Sequence, residues 1–346
     1  MPENQQSPTK KILITGAGGL VGPLLAARLL SSPEYRLLLT DLAEPIVPPG
    51  VAYPHHASTL RGDITSPEFV DALLAHEAIR PRPDAVFLFH GVMSAAAEAD
   101  PALSLRVNVD SVRLLTEALR TRYPGVRVIF ASSLAVFGAP FPQETAAAGG
   151  RVRTKKVPPS AWPPTPQSTY GAHKLMAEVF LNEAHRRGWL DVVVTRLPTV
   201  SVRPGRPTGA ASSFLSGIIR EPMHGAECVV PLRDRGFRAF LSSPAVVVEN
   251  LVRVLGWESG ALPAHVRQVL LPGIAVSIQE LRDALAKYGG EEKLALIKEV
   301  EDEGLERILR SWAEDFEIDE PLRLGLVVDE SADALVRQYV ENLRSE

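Results

Sequence analysis

Cysteine is almost missing from this chain: Cys228 stands alone among 346 residues. A single cysteine excludes a disulfide framework and a cysteine-rich metal site, and it points to a reducing, intracellular compartment. Long hydrophobic runs are scarce as well. Residues 1–10 are polar and lack the apolar core of a secretory signal, and no membrane-length run lies near them. The C-terminal Arg344-Ser345-Glu346 matches no targeting signal, so a cytoplasmic location is expected. Neither sign of charge dominates. The net charge is −4, which does not suggest nucleic acid as a partner. His, Asp and Glu form no cluster that suggests a metal, and there is no internal repeat or long low-complexity tract. What remains is an ordinary globular composition, 45% hydrophobic and 23% charged. The length suits one large α/β domain with an appended lobe and a substantial core.

The apolar pattern alternates between strands and helices. Residues 11–15 (KILIT) form a short aliphatic run bounded by glycines, which reads as a fully buried strand of a parallel sheet. Helical periodicity follows over 20–30, then strands at 36–41 and 84–89, a long helix at 103–122, and a strand at 127–132. A helix at 169–187 and a strand at 191–197 complete the series. This alternation predicts a doubly wound parallel sheet. Residues 139–166, rich in Pro, Gly and Ala, read as a surface loop, and the basic run at 151–156 within it reads as solvated. Beyond residue 200 the rhythm loosens. Segments 211–221, 227–232, 266–271, 278–288 and 304–312 suggest a smaller lobe, with the acidic stretch 291–303 an exposed face. The expected division is a disordered tail at 1–10, a dinucleotide-binding domain at 11–200, and a substrate lobe at 201–346 with parts returning to the main sheet.

A glycine turn follows the first strand: Gly16-Ala-Gly-Gly19-Leu-Val-Gly22. In that position Gly16 permits the tight turn, Gly19 lets backbone approach a pyrophosphate, and Gly22 lets helix pack on strand. Leu20 and Val21 open the helix, whose N-terminal N–H groups suit phosphates. Asp41 ends the second strand, about 20 residues on, where a carboxylate accepts bonds from ribose hydroxyls and repels a 2′-phosphate. Leu42 and Ala43 follow it rather than arginine, which favours NAD over NADP. Asp63 and Ile64, after the third strand region, are expected beside the adenine; a plain loop Asp is the alternative.

Tyr170 and Lys174 stand four residues apart on one helix face. An ammonium there is expected to lower the phenol pKa and make Tyr170 a general acid/base for an alcohol oxygen. Ser133, at the end of the preceding strand, is the candidate hydrogen-bond donor to that oxygen, with Ser132 as fallback. His90 and His173 read as packing or surface residues.

The order GxxGxxG, Asp41, Ser133, Tyr170-x-x-x-Lys174 resembles the short-chain dehydrogenase/reductase superfamily, in its extended branch of epimerases, dehydratases and dehydrogenases. Arg106-Val-Asn108 resembles that branch's helix with a structural Asn, and Arg196-Leu-Pro198-Thr199 resembles its nicotinamide-lining segment. Residues 133–142, 196–205 and 216–222, with Ser94 and residues 98–100, are more similar to D-erythronate dehydrogenases than to sugar-nucleotide enzymes. The likeness runs from about residue 11 to at least 280.

The resemblance implies a Rossmann-type sheet and NAD as cofactor, held in part by Pro198 and Thr199. It also implies a mechanism in which Tyr170 takes the hydroxyl proton, Lys174 supports it and binds the ribose, Ser133 holds the reacting oxygen, and hydride leaves the carbinol carbon. A sugar acid needs a cation for its carboxylate. Arg203, Arg220 and Arg238 are the candidates, with Ser94 for a hydroxyl. The branch also implies a homodimer packed through the helices at 103–122 and 169–187.

Two departures stand out. The run Phe87-Leu-Phe-His90-Gly-Val-Met-Ser94 replaces the branch's His-x-Ala-Ala-like stretch, and the 139–166 loop is long. Three functions follow from this reading: a sugar-acid dehydrogenase first, then a nucleotide-sugar epimerase or dehydratase, then an idle NAD-binding protein.

Overall fold

The computed structural model describes residues 9–141, 143–144, 153–154, 156–205 and 210–345. The chain opens with β1 (Lys10–Thr15), α1 (Val21–Leu29), β2 (Tyr35–Asp41), β3 (Ala57–Arg61), α2 (Pro67–Ala75) and β4 (Ala85–Leu88). Next come α3 (Ser94–Ala99), α4 (Pro101–Leu105), α5 (Ser111–Arg122), β5 (Arg127–Ser133), β6 (Gln143–Glu144), β7 (Arg153–Thr154), α6 (Thr169–Arg186) and β8 (Asp191–Leu197). The later part holds β9 (Thr199–Val200), α7 (Ser213–Met223), β10 (Cys228–Val230), β11 (Arg238–Ser242), α8 (Pro244–Leu255), β12 (Gln268–Leu270) and β13 (Ile274–Ser277). It closes with α9 (Ile278–Gly289), β14 (Ile297–Glu299), α10 (Glu303–Arg310), α11 (Asp319–Arg323) and α12 (Ala332–Ser345).

Seven strands form one sheet in the order β12-β8-β5-β4-β1-β2-β3, all parallel. The inner strands are aliphatic runs because both faces are buried, whereas the edge strand β3 (ASTLR) is only half-buried. In β1, Ile12 and Ile14 face one helical layer while Leu13 faces the other. α1 and α8 cover the first face through Leu25, Leu29, Val247 and Leu251. α2, α5 and α6 cover the second through Leu73, Leu115, Leu119 and Leu181. Each such side chain contributes about 1.5–3 kcal/mol of burial. The chain winds outward from β1 to β3, then reverses to β4. A ligand crevice therefore opens between the carboxyl ends of β1 and β4.

The differences from the sequence reading follow from contacts between distant segments. The expected helix at 103–122 is broken: α4 passes through a π-helical turn, Arg106–Asp110, into α5. That turn carries Asn108, whose side chain accepts from Val92 N at 2.8 Å and donates to Val92 O at 3.0 Å. The acidic stretch 291–303 is more than an exposed face, because β14 inside it pairs with β10 and buries Ile297. Residues 266–271 belong to the large sheet through β12 rather than to the small lobe. α8 had no clear signal, yet it packs on α1 beside the glycine turn. Most of the basic run at 151–156 lies outside the described residues, and β1 already includes Lys10.

Candidate active site

A cleft of about 520 Å³ lies at the reversal point. One end is walled by Gly16, Gly18, Gly19, Leu20 and Val21, the other by Ser133, Tyr170, Lys174, Pro198, Thr199 and Arg203. A cavity of about 500 Å³ between α1, α8 and α12 contains neither Tyr170 nor Lys174.

The turn after β1 needs glycine at its first position. Gly16 has φ of +68°, and a Cβ there would stand 2.5 Å from the His90 nitrogen. Gly18 and Gly19 leave the adjoining wall free of side chains, and α1 begins just behind. Asp41 reaches this turn: Oδ2 accepts from Gly18 N at 2.9 Å and Oδ1 from Leu42 N at 2.7 Å. Arg61, the cross-strand neighbour of Asp41, donates from Nε to the Leu42 carbonyl at 3.2 Å. The sequence reading overlooked this cation, because only the folded sheet places β3 beside β2. Asp63 accepts from Thr65 N and Oγ1 at 2.9 and 2.8 Å and so shapes the turn into α2, while Ile64 packs on the second core layer. Neither lines the cleft.

A dinucleotide fits this arrangement. The bare wall at Gly18 and Gly19 and the start of α1 suit a pyrophosphate. The Asp41 carboxylate suits ribose hydroxyls, and Pro198, Thr199, Tyr170 and Lys174 border the far end.

At that end, Ser133 terminates β5 and caps a short 3₁₀ turn, accepting from Ala135 N at 3.1 Å. Its hydroxyl also hydrogen-bonds Tyr170. α6 is drawn onto this turn so closely that a Cβ at Gly171 would lie 2.1 Å from the Ala135 carbonyl oxygen. Lys174 is buried and donates from Nζ to the Ala131 carbonyl at 2.8 Å, with Phe130 beneath it at 4.6 Å. Burial pushes Lys174 down to about 8, against the pull of Glu178. Burial also pushes the Tyr170 phenol up to about 12, opposed by the Ser133 hydrogen bond and the Arg203 charge. The expected lowering by Lys174 is therefore not what the free chain shows: desolvation outweighs it, and Arg203 is the cation that acts on the phenol.

Ser132 serves a different partner: its hydroxyl donates to Glu178. His90 bridges Thr15 Oγ1 at 2.7 Å and Ser111 Oγ at 2.9 Å, and burial holds it neutral, pushed down to about 3. His173 pairs with Ser104 Oγ at 2.8 Å.

Of the substrate candidates, Ser94 and Arg203 line the cleft. Ser94 Oγ accepts from Ala211 N at 3.1 Å. Arg203 is anchored through Nε to the Val200 carbonyl at 2.8 Å and through Nη2 to Ser212 Oγ at 3.3 Å. Arg220 and Arg238 do not reach the cleft. Arg220 lies behind Arg203, donating to its carbonyl at 3.0 Å and pairing with Glu221 at 2.6 Å. Arg238 is spent on the Ala275 carbonyl and, at 3.6 Å, on Glu280. Trp312 lines the cleft from the distant C-terminal part, its indole N–H buried without a partner among the described residues. No local sequence signal marks it, since only tertiary packing brings it there.

A Gly-turn dinucleotide cleft that ends in a Ser/Tyr/Lys constellation defines a class: nicotinamide-dependent oxidoreductases acting on CH–OH groups. Residues 12–244 match the NAD dependent epimerase/dehydratase family, and the chain belongs to it. It is similar to the D-erythronate dehydrogenase of Haemophilus influenzae, with 35% identity over 96% of this chain and 99% of that one. The D-erythronate dehydrogenase of Cupriavidus necator is 33% identical over 96% and 98%. Among solved structures, a nucleoside-diphosphate-sugar epimerase from Agrobacterium tumefaciens superposes with a TM-score of 0.86 at 31% identity, covering 100% of this chain and 97% of that one.

Proposed function

We propose that this chain oxidises a secondary hydroxyl of a small sugar acid of the D-erythronate type to the 2-keto acid, with NAD as cofactor. The observation that carries the substrate class is the charge of the cleft. Among the described lining residues the charged ones are Lys174 and Arg203, both cations, and no carboxylate lines it. A guanidinium beside the catalytic phenol suits a carboxylate one carbon from the reacting hydroxyl. The two D-erythronate dehydrogenase relatives support the same reading.

In this reading the Tyr170 oxygen accepts the substrate hydroxyl proton. Ser133 holds the reacting oxygen, Arg203 grips the carboxylate, and Ser94 meets a further hydroxyl. Lys174 supports the phenolate and a ribose. Bound nicotinamide supplies the hydride acceptor. Asp41 at the end of β2 supports NAD over NADP; Arg61 is already tied to the Leu42 carbonyl. The adenine would lie beyond the described cleft lining, towards Asp63 and Ile64, with Asp63 acting through the turn it shapes with Thr65. Residues 11–200 serve mainly the cofactor and the later part mainly the substrate. A homodimer and a cytoplasmic location complete the proposal. Among the described residues no helix is long and apolar enough to cross a membrane.

The test is NADH absorbance across four- to six-carbon aldonic and uronic acids, with NAD and NADP compared. D-Erythronate or a close homologue should give net NADH. An epimerase returns the hydride and gives none. Tyr170→Phe should lower the detected rate by roughly 10²–10⁴-fold; an unchanged rate would sink the mechanism.

A further inference from the structure

β5 and α6 meet rung by rung. Ala131, Ser132 and Ser133 are consecutive on β5, and Tyr170, Lys174 and Glu178 follow each other at four-residue spacing on one face of α6. Ser133 bonds Tyr170, the Ala131 carbonyl bonds Lys174, and the Ser132 hydroxyl donates to Glu178 Oε1. The third rung contains a fully buried carboxylate at 0% exposure. Arg196, the β8 neighbour of Ser132, completes it with Nη2 to Oε2 at 2.6 Å and Nε to Oε1 at 3.0 Å. Its guanidinium lies 4.8 Å from the Phe137 ring centre.

A buried ion pair is a poor way to hold a helix, because well-packed apolar residues do it as well or better. The carboxylate therefore needs another reason to be there, and Lys174 supplies one. Its ammonium has the Ala131 carbonyl, the face of Phe130 and the Tyr170 ring at 5.8 Å around it. The titratable groups near it are Tyr170 and Glu178 on α6 and His90 after β4, with Arg196 on β8 beyond Glu178. Tyr170 and His90 are held neutral by burial. Glu178 is the carboxylate in this group.

We propose that Glu178 is a positioning residue for the reaction: locked by Ser132 and Arg196, its carboxylate keeps the Lys174 ammonium charged at the level of Tyr170. This rests on Tyr170 and Lys174 being the acid/base pair, but its test needs no substrate. In the free protein carrying ¹³Cε-labelled lysine, with the signal assigned through Lys174→Arg, Lys174 should titrate near 8. Glu178→Gln keeps a group that Ser132 can bond and removes the charge, so the midpoint should fall by at least about one pH unit. Glu178→Gln with Arg196→Met leaves no unpaired buried charge and decides the matter if the single variant does not fold. A fall in either supports the proposal; an unmoved Lys174 midpoint, with only a lower melting temperature, overturns it. A wild-type protein without dehydrogenase activity would defeat the function proposed above and leave this titration readable. In an active enzyme, the alkaline limb of kcat should move with the Lys174 midpoint.

Discussion

At the scale of single residues the site is a contest between burial and charge. Tyr170 and Lys174 are both buried, and desolvation disfavours the charged form of each. Arg203 is the residue whose loss should separate binding from chemistry. Arg203→Met should raise KM for the acid substrate about 10–100-fold, the worth of a charge-assisted contact, with NAD affinity little changed. Steady-state kinetics and calorimetry with NAD would check this, and an unaltered KM would remove Arg203 from the substrate site. That Ser133, Tyr170 and Lys174 meet could be read from the sequence because each stands at a motif position whose local element was also legible. Arg220 and Arg238 stood level with Arg203 as candidates because nothing in a linear chain tells an arginine that braces a backbone carbonyl from one that lines a cleft.

At the scale of elements, the proposed chemistry depends on how α6 docks on the end of β5. Gly171 lets the helix touch the Ala135 carbonyl. Gly171→Ala should push α6 outward, costing about 1–3 kcal/mol of stability and lowering kcat roughly 10²-fold through misplacement of Tyr170. Thermal melting and kcat together test this, and a variant with native kcat would show that the close approach is unnecessary. A second junction is the strut from Thr15 through His90 to Ser111, which ties β1 to the start of α5. Burial pushes His90 from 6.5 down to about 3. The folded imidazole stays neutral where the unfolded one takes a proton. Its contribution is therefore complete above about pH 6.5 and is lost as pH falls from there towards 3. The loss is about 1.4 kcal/mol per pH unit at its steepest. Urea unfolding between pH 7 and pH 5 should show a shallower pH dependence in His90→Gln than in wild type. Equal slopes would contradict the neutral strut. β1, β2, β4, β5, β8 and α6 were legible within a residue or two because aliphatic runs and 3.6-residue periodicity are local. The π turn around Asn108 was not, since its cause is a contact with Val92 from another segment.

At the scale of the whole molecule, the outer face of α6 leaves Met176 and Val179 exposed at 49% and 63%, with Leu105 on nearby α4 at 38%. An apolar face of this kind suits a second copy of the chain. Light scattering at micromolar concentration should give a dimer, and Met176→Glu with Val179→Glu should give a monomer; a monomeric wild type would refute this. Short-range pattern alone carried the parallel α/β class, the glycine turn with Asp41 at the end of β2, and the grouping of Ser133, Tyr170 and Lys174 at one cleft. These depend on short-range periodicity and on side chains a few residues apart. It took the packed molecule to show which arginine enters the cleft, that Trp312 lines it, that β12 and α8 are the later parts that join or cover the large sheet, and that Glu178 lies buried against Arg196. Those outcomes come from packing between distant segments, where burial and pairing partners are set by three-dimensional neighbours that no local pattern encodes.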